Sequence, residues 1–363
     1  FFQAEDGIRD LVRSRGLGDV YKRQLMILVT GGTGLLGSHL LLELVRQHEH
    51  VVAVRRPTSD LEEVRRVFSW YSGEGDELFR RIDWVETDLL NEAEVEKVMI
   101  DISQVYHCAG IISFRKSDFR EMYRFNVRGT TSVVNACLSA GVKKLLHVSS
   151  SSAIGHLPEG KAATEDLIWS QTQTSSGYAI SKFRSEMEVW RGMEEGLNAV
   201  IVNPAIILGP GFWDRGSSVM FRRVDGGLRF ATPGITGYVD VRDVVTAMVR
   251  LMQSEISGER FIVSEGDYAF REVFEMIARA LGKPVKMKPV PQALLKLLSG
   301  LDAFAGLFTG KRLITAEQVR SAFSENRFSS QKLIGATGME FTPLEETIGH
   351  VAAIYRAEHP RHR

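Results

Sequence analysis

The sequence predicts an α/β protein in which helices cover both faces of a doubly wound parallel sheet. Short runs rich in Val, Ile and Leu alternate with segments of helical apolar spacing from Leu25 to about Gly209. Nearly continuous apolar strands are typical of sheets buried on both faces, and right-handed crossovers then place helices on each side. The chain has 363 residues and 44% hydrophobic content, which is enough for this domain and a smaller one.

The elements of the first part are predicted from the period of their apolar residues. A continuous or alternating apolar run indicates a strand, whereas recurrence every three or four residues indicates a helix. Strands are expected at 27–30, 50–56, 81–89, 104–110, around 143–153 and at 198–209. Helices are expected at 38–47, 121–141 and 178–195.

The alternation stops after Gly209, where 210–237 are rich in Gly and turn residues. A strand and a helix are then predicted within 238–254, and a further strand within 258–266. The tail is mainly helical, with predicted helices at 271–282, 291–308, 314–325 and 344–359.

This pattern predicts two domains. The larger, built on the sheet, comprises 25–208 plus 237–263, and the smaller, mainly helical, comprises 209–236 plus 264–363. Because open α/β sheets bind ligands beyond the carboxyl ends of their strands, we expect the smaller domain to pack there and to hold the substrate. The polar stretch 170–177 is predicted to be a mobile loop.

Residues 1–24 have no sustained apolar period and end just before Met26, where a complete first strand could start. The segment resembles a translated sequencing-adapter read-through. We therefore expect it to be a non-native extension and assign no function to it. A disordered or loosely helical natural extension is the alternative.

Composition excludes several classes of function. Lys plus Arg and Asp plus Glu both number 45, so there is no net charge to favour nucleic acid or an anionic membrane. Cys108 and Cys137 lie in apolar runs without metal-ligand spacing and are predicted to be reduced core residues. No secretion signal precedes Leu25, which favours a cytoplasmic protein.

The apolar segment 291–308 is a candidate membrane element. It is interrupted by Lys296 and Asp302 and is too short for a span of about 20 residues. A helix packed on the smaller domain is the favoured interpretation, with weak membrane association as the alternative.

A glycine-rich loop joins the first strand to the first helix. Gly31, Gly34 and Gly37 allow a sharp turn and a close approach of backbone N–H groups to a pyrophosphate at the helix N-terminus. The loop TGGTGLLG, which also contains Thr33, Leu35 and Leu36, resembles that of the extended short-chain dehydrogenase/reductases, the NAD-dependent epimerase/dehydratase family. The resemblance covers nearly all of 25–363 and implies a Rossmann fold that binds a nicotinamide dinucleotide.

The second strand ends in Arg55 and Arg56, where an NAD-binding protein of this fold would have an acidic residue. A guanidinium can pair with a 2'-phosphate, whereas a carboxylate would repel it. NADP is therefore favoured and NAD stays possible. By resemblance, Asp88 and Leu89 contact the adenine, and Ala109 with Gly110 lines the cofactor after the fourth strand.

Tyr178 and Lys182 are four residues apart on a predicted helix, so their side chains share one face. A nearby ammonium favours the phenolate of a tyrosine whose ordinary pKa is about 10. The serine run 149–152 offers hydroxyls to a carbonyl oxygen. By resemblance Ser151 is the active hydroxyl, with Ser150 as the fallback, Tyr178 exchanges a proton, and Lys182 also holds the nicotinamide ribose.

Three further positions are assigned by resemblance alone. Asn126 supports the site from the neighbouring helix, and Asn203 with Pro204 forms the turn beside the nicotinamide carboxamide. His107 is interpreted as a packing residue. No metal site is predicted.

The chain most resembles the branch of dihydroflavonol reductases and 3β-hydroxysteroid dehydrogenases, which implies NADPH-dependent reduction of a ketone or aldehyde on a small organic molecule. The alternatives are a sugar-nucleotide epimerase that retains NAD and a non-catalytic NADP-binding protein. A homodimer through 123–140 and 178–193 is also implied. Scattered aromatic residues hint at an apolar substrate pocket but are also typical of a core: Phe114, Phe212, Trp213 and Phe230.

Overall fold

The computed structural model describes residues 26–48, 50–155, 160–170, 175–291 and 322–360. The predicted extension 1–24 and nearly all of the apolar segment 291–308 lie outside these residues, as does the middle of the polar loop, 171–174.

The strands expected from apolar period are present, except that the one expected at 198–209 is divided into two strands, and short strands that were not expected occur as well. In chain order the described strands are β1 (Met26–Thr30), β2 (Val51–Arg55), β3 (Ile82–Glu86), β4 (Ile102–His107), β5 (Lys144–Val148), β6 (Ala162–Ala163), β7 (Ala199–Pro204), β8 (Ile206–Leu208), β9 (Phe230–Ala231), β10 (Ile235–Asp240), β11 (Glu259–Val263), β12 (Gly266–Ala269), β13 (Lys288–Pro289) and β14 (Arg327–Phe328).

The described helices connect and follow these strands. They are α1 (Leu35–Gln47), α2 (Leu61–Tyr71), α3 (Gly75–Arg80), α4 (Glu92–Val98), α5 (Phe119–Tyr123), α6 (Gly129–Ala140), α7 (Gly177–Glu194), α8 (Val219–Asp225), α9 (Val241–Gln253), α10 (Phe270–Ala280), α11 (Gln331–Thr337) and α12 (Leu344–Glu358). A π-helical turn at Arg124–Arg128 joins α5 to α6, and a 3-10 turn at Ser151–Ala153 follows β5.

The main sheet has seven strands in the order β3-β2-β1-β4-β5-β7-β11, and every neighbouring pair is parallel. The predicted doubly wound Rossmann fold is therefore confirmed. The strand order reverses between β1 and β4, which opens a crevice at their carboxyl ends. The candidate cofactor segments after β1, β2, β3, β4 and β5 lie at this edge, where the carboxyl ends of these strands meet.

Both faces of the sheet are buried by helices. On one face α1 packs against α9 through residues such as Leu44 and Met248, and on the other α6 packs against α7 through Val134 and Val189. Burial of each large aliphatic side chain stabilises the fold by about 1.5–3 kcal/mol. The strands that carry the site are thereby held rigidly at both faces.

A second, smaller sheet lies beyond the first, in the order β12-β10-β8. It packs with α8, α10 and α12 around an apolar cluster that includes Phe221, Tyr238, Ile277 and Ile348. β10 thus belongs to the second sheet, and the chain returns to the first with α9 and β11. The exact division into two domains stays a prediction.

Two further expectations concern cysteines and membranes. Cys108 and Cys137 are both free thiols, as predicted. Within the described residues, no helix is long and apolar enough to span a bilayer.

Candidate active site

The loop after β1 is shaped by two glycines that cannot be replaced without a clash. Gly31 has φ +73°, a left-handed conformation that disfavours side chains, and a Cβ there would lie 2.6 Å from the backbone nitrogen of Ala109. A Cβ at Gly37 would overlap the carbonyl oxygen of Gly31. These two residues let β1, β4 and the start of α1 approach one another.

Gly34 has a different role, because a Cβ there would meet only the carbonyl oxygen of Gly31, at an ordinary 3.5 Å. It is the N-cap of α1, which has no side-chain cap and no acidic residue in its first turn. A helix N-terminus of this kind carries a partial positive charge that suits a phosphate. The loop therefore fits a pyrophosphate, with no side chain at Gly34 and backbone N–H groups from Leu35 and Leu36 at the helix start.

The two arginines after β2 differ in their surroundings. Arg55 is partly buried, and its Nη2 donates to Oε1 of Glu86 on β3 at 2.5 Å. Arg56 is exposed, and among the described residues its guanidinium forms no ion pair. The structure thus leaves Arg56 as the available cation at this edge, while Glu86 holds Arg55.

The segments after β3 and β4 form the neighbouring walls of the crevice. The Asp88 carboxylate is exposed and accepts from the backbone N–H of Leu90 at 3.0 Å, which turns the chain, while Leu89 is buried beneath it. After β4, the Ala109 N–H donates to the hydroxyl of Thr30 at 3.3 Å. This bond ties the β4 loop to the end of β1.

Tyr178 and Lys182 lie in the first turns of α7, which begins after Ser176. The Ser176 hydroxyl caps the helix by accepting from the N–H of Ala179 at 2.9 Å. Lys182 is 5% exposed, and its Nζ donates to the carbonyl oxygen of Val148, at the end of β5, at 2.9 Å. A Cβ added to Gly110 would lie 3.4 Å from the same Nζ. Thus α7 contacts the loops after β4 and β5 at the crevice.

The serine run places Ser150, the fallback residue, against the tyrosine. The hydroxyl of Ser150 lies close enough to the phenol of Tyr178 to lower the pKa of that phenol. Ser150 Oγ also accepts from the hydroxyl of Ser152 at 3.0 Å and caps the 3-10 turn that begins at Ser151. Ser151 is half-buried in that turn, and its role stays a prediction.

The ionisation of these groups is set mainly by burial. Burial raises the pKa of Tyr178, and the nearby hydroxyl of Ser150 opposes this rise. Burial lowers the pKa of Lys182 to about 8, and the negative charge of Glu186 opposes this fall. The sequence predicts that the ammonium lowers the pKa of the phenol, but in the structure burial dominates and raises it, and the group that opposes the rise is Ser150.

Asn126 lies in the π-helical turn between α5 and α6. Its side chain exchanges two hydrogen bonds with the backbone of Ile111, accepting at 2.8 Å and donating at 3.0 Å, and also donates to the hydroxyl of Ser181 at 3.0 Å. Such turns are frequent at functional sites. Asn126 therefore fastens the β4 loop to α7, and its role in the site stays a prediction.

Asn203 at the end of β7 supports the site from the other side. Its Nδ2 donates to the carbonyl oxygen of Ser150 at 3.0 Å and to the carboxylate of Glu186 on α7. Pro204 is the last residue of β7. Glu186 was not among the predicted site residues, although its position four residues after Lys182 and eight after Tyr178 puts all three on one helix face.

His107 is buried and structural. Its ring nitrogens bond to the hydroxyls of Thr30 at 2.7 Å and Thr130 at 3.0 Å, and burial lowers its pKa to about 3. Of the aromatic residues, Phe114 packs edge-on against Tyr178 with ring centroids 5.9 Å apart, and it is 39% exposed.

The remaining aromatic residues lie in the second part of the chain. Phe212 is buried and Phe230 is 56% exposed. Trp213 packs against Tyr355 of α12 with ring centroids 5.0 Å apart. Phe114 is therefore the aromatic residue of the four with a direct contact to Tyr178.

Comparison with known proteins places this geometry in a family. The model of the NAD dependent epimerase/dehydratase family matches residues 27–264. Sterol demethylase protein B of Methylococcus capsulatus is 30% identical over 273 residues, 74% of this chain and 78% of that protein. Tetraketide alpha-pyrone reductase 2 of Arabidopsis thaliana is 27% identical over 264 residues, 69% of this chain and 81% of that protein.

The fold is also found among solved structures. The crystal structure of UDP-glucose 4-epimerase from Thermotoga maritima, with UDP-glucose, matches with a TM-score of 0.72 and 20% identity. The match covers 92% of this chain and 99% of that chain.

Proposed function

This chain belongs to the NAD dependent epimerase/dehydratase family, and we propose that within it the protein is an NADPH-dependent reductase of a ketone or aldehyde on a small organic molecule. The observation that carries the proposal is the convergence of Tyr178, Ser150 and Lys182 at the carboxyl edge of the sheet. The crevice between β1 and β4, where a dinucleotide would bind, opens at the same edge.

The residues present fit a nicotinamide dinucleotide. The uncapped start of α1 with no side chain at Gly34 suits the pyrophosphate, and the loops with Asp88 and with Ala109 line the crevice. Arg56, which is exposed and forms no ion pair with any described residue, favours a 2'-phosphate and therefore NADPH over NADH. When bound, the cofactor supplies the hydride that goes to the carbonyl carbon.

The side chains of the site supply the proton and the orientation. In the proposed reaction the carbonyl oxygen of the substrate accepts hydrogen bonds from Ser150 and Tyr178, and the phenol of Tyr178 transfers its proton to that oxygen as it becomes an alcohol. The raised pKa of Tyr178 keeps the phenol protonated at neutral pH. The Lys182 ammonium stabilises the phenolate until solvent returns the proton.

Ser150 is proposed for this role because its hydroxyl meets the phenol, and Ser151 is the alternative on the resemblance. The exposed face of Phe114 beside Tyr178 is available to an apolar part of the substrate. The homodimer through α6 and α7 stays a prediction, which light scattering of the purified protein tests.

The experiment compares the full chain with Tyr178→Phe on a panel of ketones and aldehydes, with NADPH and NADH in parallel. We expect the wild type to oxidise NADPH with a member of the panel, and the variant to lose on the order of 100-fold or more in kcat while binding NADPH equally well. Equal turnover by the variant would refute the proton donor.

The same preparation separates the reductase from its alternatives. A sugar-nucleotide epimerase would retain NAD through purification, detected by absorbance and mass, and would turn over without net change in NADH. A non-catalytic protein would bind NADPH and reduce no carbonyl in the panel. Either result would overturn the reductase proposal.

A further inference from the structure

Glu186 is a fully buried acid directly beneath the candidate catalytic pair. It lies on the face of α7 that carries Tyr178 and Lys182, one turn beyond the lysine, and its side chain is 0% exposed. A buried carboxylate is costly unless it is paired and hydrogen-bonded. Its partners therefore indicate what the structure uses it for.

Both carboxylate oxygens accept hydrogen bonds. Oε1 accepts from Nδ2 of Asn203, and Oε2 accepts from Nη1 of Arg260 on β11 at 3.3 Å. Burial raises the pKa of Glu186, whereas the Arg260 guanidinium and the hydrogen bond from Asn203 oppose this rise and favour the ionised form. The Arg260 guanidinium is itself 12% exposed, so the ion pair is shielded from solvent.

Each partner of Glu186 also holds a segment of the candidate site. Asn203 Nδ2 bonds to the carbonyl oxygen of Ser150, the residue that meets the tyrosine. Arg260 donates to the carbonyl oxygens of Glu165 at 2.7 Å and of Leu167 at 2.8 Å. The carboxylate thus joins the catalytic helix to the β5 loop and to the segment around 165–167.

The charged groups that face the lysine are few. The neighbours that contribute to its electrostatics from other elements are Cys108 after β4, His107 on β4 and His147 on β5. Burial raises the pKa of Cys108 to about 12 and lowers the pKa of both histidines far below neutrality, so all three are uncharged near neutral pH. In the part of the chain that the structure describes, the charged pair on this side is Glu186 with its partner Arg260.

From this arrangement we infer that Glu186 is a positioning residue with two effects. It keeps Lys182 in its ammonium form and, through Asn203, it holds the backbone of Ser150 beside Tyr178. The catalytic consequence of this inference rests on the proposed function, whereas the protonation state of Lys182 does not depend on it. One turn of helix separates Lys182 from Glu186, with Cβ atoms about 5–6 Å apart. Removal of the negative charge should lower the pKa of the lysine on the order of one pH unit or more.

The first test needs no substrate. Protein with 13C-labelled lysine is titrated by NMR, and the Lys182 signal is assigned by its loss in Lys182→Met. We expect the Lys182 midpoint in Glu186→Gln to fall by about one pH unit or more relative to wild type, with Glu186→Asp restoring most of it. The matched control Glu194→Gln, which removes an exposed carboxylate from the same helix, should leave the midpoint unchanged.

A second measurement keeps the inference testable if Glu186→Gln does not fold. The side-chain carboxyl carbon of Glu186 in labelled wild-type protein, assigned by comparison with Glu186→Asp, should report an ionised carboxylate from pH 6 to 9. A protonated Glu186 in this range, or an unchanged Lys182 midpoint in folded Glu186→Gln, would overturn the inference.

The catalytic consequence is read from pH profiles. The alkaline limb of kcat/KM for carbonyl reduction should move to lower pH in Glu186→Gln by about the same interval as the NMR midpoint. A shifted midpoint in a protein that reduces no carbonyl would refute the reductase and leave the inference standing. A shifted midpoint with an unmoved limb in an active enzyme would refute the catalytic role of Glu186.

Discussion

Arg56→Ala is the variant that most directly tests the cofactor preference. The guanidinium is exposed and has no ion-pair partner among the described residues, so its removal should change the free energy of unfolding by less than about 0.5 kcal/mol. A charge-assisted hydrogen bond to a phosphate contributes about 1.5–3 kcal/mol, and solvent exposure favours the lower end. The affinity for NADPH should therefore fall about tenfold, while that for NADH stays the same.

The assay is a fluorescence titration of each dinucleotide at fixed ionic strength, with the ratio of the NADPH and NADH dissociation constants as the readout. Arg66→Ala is the matched control, because it removes an exposed arginine from nearby α2 and should leave the ratio unchanged. Higher salt should shrink the effect of Arg56→Ala, since screening weakens exposed charge pairs.

Arg55→Ala completes the test because this side chain is held by Glu86. Arg55→Ala alone should leave the ratio of dissociation constants nearly unchanged, because Glu86 already pairs with this guanidinium. If the ratio of dissociation constants is the same in wild type, Arg56→Ala and the variant with both substitutions, the assignment of the 2'-phosphate to these arginines is refuted.

Three further predictions follow from the site and its supports. Ser150→Ala should lower kcat/KM about 100-fold and Ser151→Ala less than threefold, as steady-state kinetics will measure, and the reverse order would return the role to Ser151. Gly37→Ala should lower the melting temperature through its clash with the loop, whereas Gly34→Ala should spare the melting temperature and weaken dinucleotide binding. Burial lowers the pKa of His39 to about 4, so as the pH falls the unfolded chain binds a proton at this residue before the folded chain does. The free energy of unfolding should therefore decrease as the pH falls from about 6.5 to 4, and His39→Gln should flatten this dependence in denaturant titrations.

The elements that could be predicted from the sequence are those encoded by local spacing. Gly31, Gly34 and Gly37 follow a strand directly, and Tyr178 and Lys182 are one helical turn apart, so neither pattern needs a distant contact to be recognised. The parallel sheet followed from the apolar strands, because only burial on both faces explains such continuous runs.

Other features depend on residues far apart in the chain. Arg55 pairs with Glu86 on the neighbouring strand. From the sequence alone, Arg55 and Arg56 could not be distinguished. The π-helical turn around Asn126 is set by its bonds to Ile111, which a periodicity analysis reads as ordinary helix. β10 pairs with β8 and β12, and no local pattern in the sequence identifies these partners.

The sequence by itself determined the fold class, the dinucleotide loop and the tyrosine–lysine pair, because short-range spacing and hydrophobic period encode them. Tertiary structure alone decided which serine meets Tyr178, which arginine is available, and that Glu186 lies beneath Lys182 between Asn203 and Arg260. The physical reason is that hydrogen bonds and charge pairs act over a few ångströms. Their partners come from β2, β3, β5, β7 and β11, which only the packed sheet brings together.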